Sequence, residues 1–276
     1  MVTGLAQHCP GVAEHLHRYA LALEIVKGKA VLDIACGEGY GSALLAEIAE
    51  SVVGVDIDQA TVEHAQRKYR RENLNFIRGS CLAIPIPDAS VDVVVSFETL
   101  EHFAEHAIFI REAKRVLRPG GLLLISTPNR PEFSERTGVR WEYHVKELDE
   151  REFKDLLGPA FRNVQILSQR LVYGSAIFSS PPVRSIEAGV YEGDFGRVSF
   201  SPDGTPPRFY LALCSDSPLP EVRLSIFQSP LPQGIEIMQV ADILNSRLPP
   251  RGMRWVLGGL AGKAKRLVKR ALGLRR

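Results

Sequence analysis

Residues 31–42 read VLDIACGEGYGS. An apolar run of strand character passes directly into Gly37, Gly39 and Gly41, spaced at every second position. A glycine turn after a buried strand lets backbone approach another group closely. The segments AVLDIA (30–35), SVVGVDI (51–57), LNFIRG (74–79), SVDVVVSF (90–97) and GGLLLIST (120–127) are all apolar without clean alternation. That pattern predicts strands covered on both faces. Between them, GSALLAEIAE (41–50), QATVEHAQRKYRREN (59–73) and residues 105–117 carry apolar residues at helical spacing. Strands alternating with helices give right-handed βαβ units and a parallel sheet. VKELDEREFKDLLG (145–158) reads as a further helix, and FRNVQILSQ (161–169) and RFYLALCS (208–215) as strands. The expected fold is a doubly wound, mostly parallel α/β sheet of seven strands, the last antiparallel.

A chain of 276 residues is long enough to bury a full core without disulfides or metals. With 45% apolar and 24% charged residues, its composition is that of a soluble globular protein. Cys9, Cys36, Cys81 and Cys214 are scattered, form no CxxC pair, and have no zinc-like spacing to histidine. They fit a reducing compartment, so a cytoplasmic location is expected. No signal peptide and no membrane-spanning run are evident. The reading divides the chain into residues 1–28, a segment covering the cofactor, 29–216, the α/β domain, and 217–276, an extension. Within the domain, residues 170–207 are rich in Gly, Pro and Ser and too long for a plain loop, so an insertion or lid is expected there.

Two kinds of ligand are served by a glycine turn after the first strand of such a sheet. A dinucleotide site uses GxGxxG with an acidic residue about 20 positions on. Here the loop is GxGxG, with Asp33 just before it. A carboxylate so near would repel a pyrophosphate, but it suits a cation, or an ammonium group reached through water. S-adenosylmethionine, with its α-ammonium and sulfonium, meets that requirement.

DIACGEGYGS resembles the first motif of class I S-adenosylmethionine-dependent methyltransferases, a family with a Rossmann-like fold. The resemblance runs over about residues 14–215, through IPIPDASVDVVVS and RVLRPGGLLLIS. It implies that Asp56, closing the second strand, takes both ribose hydroxyls, since one carboxylate can accept from two vicinal donors. It also implies that Ile57 covers the adenine. Ala35, Gly37, Gly39, Gly41 and Ser96 are expected around the same cofactor. The family's third motif is usually Gly-Asp-apolar, its Asp accepting from the adenine amine; here it reads Gly79-Ser80-Cys81, which leaves the Ser80 hydroxyl or a backbone contact, as at Cys81, for the adenine. EHLHRYALA (14–22) is expected to form a helix over the cofactor, with Arg18 forking the methionine carboxylate and Tyr19 donating its hydroxyl. His15 and His17 point apart on such a helix and are not expected to share a metal.

Transfer to a hydroxyl calls for a general base, usually histidine. SFETLEHFAEH (96–106) follows the fourth strand, at the ligand-binding edge of the sheet. There His102 is a base candidate, with Glu98 four residues earlier as its partner or a substrate ligand; packing under the cofactor is the alternative for His102. His106 is expected in solvent. TPN followed by HVKEL (126–148) resembles methyltransferases associated with bacterial cell-surface glycan synthesis. This makes His144 the second base candidate, with Asn129, Arg130, Trp141 and Tyr143 as contacts to a sugar or glycan acceptor. The glutamates and histidines here could hold a divalent metal, but no spacing demands one and none is expected.

Residues 251–276 hold nine basic residues and no acidic one, with apolar residues at helical spacing. A basic amphipathic helix is expected, lying in a lipid headgroup layer on the inner face of the cytoplasmic membrane, which suits a lipid-linked acceptor. Docking on the protein is the alternative. Nucleic acid is not expected, because the chain lacks a basic aromatic platform. The resulting function is O-methylation of a sugar hydroxyl in cell-surface polysaccharide synthesis. The alternatives are a small-molecule O- or N-methyltransferase acting on a quinone or amino sugar, and a non-catalytic cofactor-binding module.

Overall fold

The computed structural model describes residues 10–139, 141–171, 190–193, 198–201, 206–223 and 225–227. Chain contacts divide into two units, Met1–Ala13 with Phe227–Arg276, and Glu14–Ile226. The α/β unit is Glu14–Ile226. The basic tail expected to touch a membrane lies outside the described residues. Among those described, no helix is long and apolar enough to cross a membrane.

The elements run α1 (Pro10–Val26), β1 (Ala30–Ile34), α2 (Tyr40–Leu45), β2 (Ser51–Asp56), α3 (Gln59–Lys68), β3 (Leu74–Arg78) and β4 (Val91–Ser96). They continue with α4 (His106–Val116), β5 (Leu117–Pro128), α5 (Glu150–Leu157), β6 (Asn163–Gln169), β7 (Val190–Gly193), β8 (Val198–Ser201) and β9 (Phe209–Ser215). Seven strands form one sheet in the order β3-β2-β1-β4-β5-β9-β6. The first five are parallel, and β9 inserts antiparallel to both β5 and β6. This is the expected seven-stranded α/β sheet.

The lack of alternation in the strands has a direct cause. Leu32, Ile34, Val94, Leu123 and Ile125 face one side and pack with Phe109, Ile110 and Val116 of α4 and Phe153 and Leu157 of α5. Their neighbours Val31, Val93, Val95, Leu122 and Leu124 face the other side, against Tyr19, Ala22 and Val26 of α1 and Leu45 of α2. Nearly all residues of β1, β4 and the second half of β5 are therefore core on one side or the other, and apolar area leaves water on both.

Several boundaries differ from the expectation. α2 stops at Leu45 and α3 at Lys68, each short of the apolar periodicity that suggested it. α5 starts at Glu150 rather than near 145. Asp149 caps it, accepting from Glu152 N–H while Glu152 accepts from Asp149 N–H. That reciprocal pair satisfies two otherwise orphaned donors and fixes the start. The residues before it are held elsewhere, because Val145 and Lys146 N–H both donate to Glu101 C=O. Within 170–207, β7 and β8 pair as an antiparallel hairpin.

The strand order reverses between β1 and β4, so the crevice at their carboxyl ends is the binding edge of this sheet. Asp33, Asp56 and Ser96 all lie at or near that edge.

Candidate functional site

The loop after β1 leaves the strand through Ala35, which is exposed and held at φ 59. A left-handed non-glycine residue is strained, and such strain concentrates at working sites. Gly37 follows at φ 53, and a Cβ built there would meet nothing within 4 Å, so this side of the loop is open. Gly41 is the reverse. A Cβ there would stand 1.9 Å from Tyr19 Cζ, so that glycine exists to let the Tyr19 ring lie on the loop. The evenly spaced glycines thus divide their tasks between ligand approach and the seating of α1.

Asp56 is oriented by backbone on both oxygens. Gly37 N–H donates to Oδ2 at 2.9 Å and Asp58 N–H to Oδ1 at 3.0 Å. Each oxygen keeps a lone pair for a further donor. Ile57 beside it is 67% exposed, an uncovered apolar face next to a poised carboxylate. Ser80 Oγ accepts from Leu82 N–H at 3.1 Å, which leaves the hydroxyl proton to give, and Cys81 is half-buried beside it.

Asp33 does not face solvent, which corrects the expectation of a water-bridged ammonium contact. It is 1% exposed, and it accepts from Ser42 Oγ at 2.6 Å and from Tyr19 Oη at 3.3 Å to each oxygen. Burial pushes its pKa up to about 7, against the two hydroxyl donors, with the charge of Asp56 adding to the rise. A ligand in the crevice would therefore meet the field of Asp33 rather than its carboxylate oxygens.

Arg18 and Tyr19 lie over the loop as expected, but their partners are protein groups. Arg18 is buried. Its Nε donates to Gln169 Oε1 at 2.7 Å, its Nη1 lies 3.2 Å from Glu98 Oε1, and the guanidinium stacks 4.3 Å from the Phe209 ring centroid. Neither Nη1 nor Nη2 makes a hydrogen bond. Nη1 is balanced by the Glu98 charge, whereas Nη2 has no acceptor among the described residues; a buried donor without one is costly, so Nη2 is the group suited to a ligand carboxylate. The expected fork to such a carboxylate is thus modified: one edge of Arg18 is already spent on Gln169.

Glu98 does not pair with His102. Residues 98–102 are not one helix; Glu98 sits at φ 54 and only Leu100–His102 form a single 3₁₀ turn. Glu98 Oε1 instead accepts from Ser126 Oγ at 2.7 Å and faces Arg18. Ser96 is fully buried and donates to Thr99 at 3.0 Å, so its side chain supports this turn rather than contacting a cofactor. His106, expected in solvent, is buried and donates Nε2–H to Leu100 C=O at 2.7 Å, tying the start of α4 to the same turn.

The two base candidates come together. The His102 and His144 rings stand 5.3 Å apart, edge to face. His144 Nδ1 lies 2.6 Å from Glu147 Oε1, and His102 Nδ1 2.9 Å from the Tyr143 carbonyl. Each imidazole is thereby oriented through Nδ1, leaving Nε2 for chemistry. Phe133 stacks on His144 with Trp141 alongside, forming an aromatic wall. Trp141 and Tyr143 are exposed, 46% and 75%, and can meet an acceptor. Asn129 and Arg130, expected at the acceptor, are bound to protein groups, though Asn129 Oδ1 has no partner among the described residues. Asn129 is buried and donates to Pro207 C=O, while Arg130 is spent on Glu135, Asp149 and Glu152 at the start of α5. Burial, with the Glu98 charge nearby, pushes Glu101 well above the usual carboxylate range.

Sequence reasoning missed Glu147, Ser42 and Gln169. His144 and Glu147 are three apart, a spacing that points to a shared face, but the segment is not helical. Gln169 lies 151 residues from Arg18, and no local pattern links them.

Residues 32–125 match the family model described as a methyltransferase domain. A probable S-adenosylmethionine-dependent methyltransferase of Mycolicibacterium smegmatis is 42% identical over 160 residues, covering 58% of this chain and 62% of the relative. A fatty-acid O-methyltransferase of the same organism is 31% identical over 130 residues, 44% of this chain and 47% of its own. The chain thus spans less than two thirds of the length of these relatives. Among solved structures, an S-adenosylmethionine-dependent methyltransferase from Thermotoga maritima, described as a possible histamine N-methyltransferase, superposes with a TM-score of 0.53 at 18% identity. That match covers 75% of this chain and 92% of the other, and it supports the fold alone. Residues 32–125 thus match a methyltransferase domain, and the relative aligned over 160 residues is named as a probable S-adenosylmethionine-dependent enzyme. The open side at Gly37, the doubly pinned Asp56 and the unfilled Arg18 Nη2 all fit that cofactor.

Proposed function

We propose that this chain transfers a methyl group from S-adenosylmethionine to an oxygen acceptor, a sugar hydroxyl in cell-surface polysaccharide assembly. The cofactor supplies an electrophilic methyl on a sulfonium. Asp56 holds the ribose, Ile57 and Ser80 the adenine side, and Arg18 the methionine carboxylate. The observation that carries the oxygen reading is His144, held on Glu147 at 2.6 Å beside His102 and an aromatic wall. An amine needs only to arrive neutral, whereas a hydroxyl benefits from a base oriented in this way. Phe133, Trp141 and Tyr143 offer flat apolar faces of the kind that stack on sugar rings.

A second acceptor class has its own support. A relative named for fatty-acid O-methylation aligns over 44% of the chain, and exposed Val139, Trp141 and Val145 give apolar surface near His144. Methyl-labelled cofactor offered to free oligosaccharides, lipid-linked oligosaccharides and long-chain fatty acids separates the readings. Label on a sugar ether supports the first and label on a methyl ester the second. Cofactor binding without label on any acceptor favours a silent module, and label on an amine a small-molecule N-methyltransferase. Residues 251–276, with nine basic residues, would place the chain on an anionic lipid surface. Vesicle binding unchanged by truncation at residue 250 would remove that part.

A further inference from the structure

A general base requires one imidazole, yet here two converge with a buried carboxyl. One ligand atom each from Glu101, His102 and His144 lies within 4.8 Å of the others. Both imidazoles are anchored through Nδ1, His144 by the Glu147 carboxylate and His102 by the Tyr143 carbonyl. Anchoring of this kind, on a carboxylate or carbonyl behind the ring, is how proteins orient imidazole ligands toward a metal. Glu101 supplies the independent observation. It is 1% exposed, its Oε1 lies 3.9 Å from His102 Nε2, and its Oε2 is buried with no hydrogen-bond partner. A buried carboxyl oxygen left unpaired is unfavourable unless something fills the space before it.

We propose that Glu101, His102 and His144 form a divalent transition-metal site at the acceptor side of the domain. Two imidazoles and one carboxylate favour Zn²⁺, Co²⁺, Fe²⁺ or Mn²⁺ over Mg²⁺, which prefers oxygen ligands alone. Bonds of about 2.1 Å put neighbouring ligand atoms roughly 3 Å apart, so a closure of about 1–2 Å is required. His102 is half-exposed and can supply it by turning its ring. Three protein ligands leave positions open for the acceptor oxygen. The inference rests on the oxygen-acceptor reading for its role, though not for its existence. With the cation bound, His144 is a ligand and no longer a free base. The acceptor hydroxyl, acidified by the cation instead, would pass its proton to bulk water at the exposed edge of His102. Its oxygen then forms the C–O bond as the S–CH₃ bond breaks, and the sulfur keeps the electron pair.

The test is a titration of the chelator-treated full chain with Co²⁺, followed by visible absorption, and with Zn²⁺, followed by calorimetry. One ion per chain is expected, with loss of the Co²⁺ bands and at least tenfold weaker Zn²⁺ binding in His102→Ala. His144→Ala should do the same, while cofactor binding by each variant shows that it has folded. Methyl transfer should fall at least tenfold on chelation and return with added metal. Absence of stoichiometric binding, or binding indifferent to both substitutions, overturns the site, and turnover unchanged by chelation overturns its role in transfer. If the Co²⁺ bands appear as expected but no oxygen acceptor is ever labelled, the oxygen reading fails and the metal site stands.

Discussion

Asp33 combines a legible position with an unexpected environment. Its place before the glycine loop could be read from spacing alone, but its burial under Tyr19 and Ser42 could not, because Tyr19 comes from a separate helix. A folded pKa of about 7 lies above the unfolded value of about 3.9. As pH rises from about 4 to about 7, the unfolded chain releases a proton that the folded chain retains, so stability falls across that window and levels above it. Asp33→Asn should therefore be more stable than the parent at pH 8 and lose the slope, as thermal midpoints of the ligand-free chain would show. A cationic cofactor favours the ionised carboxylate. Parent affinity for S-adenosylmethionine should rise between pH 6 and 8, and that rise should be absent in Asp33→Asn. Asp56 was equally legible, and the structure adds the two backbone donors that aim it. Those donors mean that substitution also loosens the loop at Gly37.

At the scale of elements, α1 is the piece whose sequence gave its place but not its partners. Arg18 and Tyr19 were read toward a ligand, whereas α1 first locks to the sheet through Glu98, Gln169 and Asp33. Gly41→Ala should cost about 1–3 kcal/mol by driving a methyl into the Tyr19 ring. In a double-mutant cycle with Tyr19→Ala, the penalties should be clearly non-additive in urea unfolding, because the first disappears once the ring is gone. Glu98→Ala strips a buried guanidinium of its counter-ion and should cost about 3–5 kcal/mol by the same measurement. The segment before α5 was read as helix because its acidic and apolar spacing suits one. The hydrogen bonds of Val145 and Lys146 to Glu101 C=O hold it instead as the strap that brings His144 to His102. Glu147→Gln, which keeps the size but weakens the anchor on His144, should lower kcat about tenfold or more with little change in cofactor affinity.

For the molecule as a whole, the sheet was legible because every central strand is covered on both sides and carries that burial in its composition. The residues proposed for the cofactor, Gly37, Asp56 and Ile57, stand close in sequence because they lie within one βαβ unit. The proposed acceptor half draws on the turn after β4 and the strap after β5, and its contacts span sequence distances at which no periodicity operates. Asn129 and Arg130 illustrate the limit: polar residues after a strand suggest ligands, yet here they bond Pro207 C=O and the carboxylates at the start of α5. The central claim is the proposal that the crevice at the carboxyl ends of β1 and β4, rimmed by Gly37 and Asp56, receives S-adenosylmethionine. Calorimetric titration of the full chain with S-adenosylmethionine, alongside Asp56→Ala, tests it most directly. Loss of a charged hydrogen-bond acceptor worth about 1.5–3 kcal/mol predicts one site per chain, weakened about 10- to 100-fold by the substitution. An absence of binding to the parent chain, or an affinity that Asp56→Ala leaves unchanged, would contradict the account.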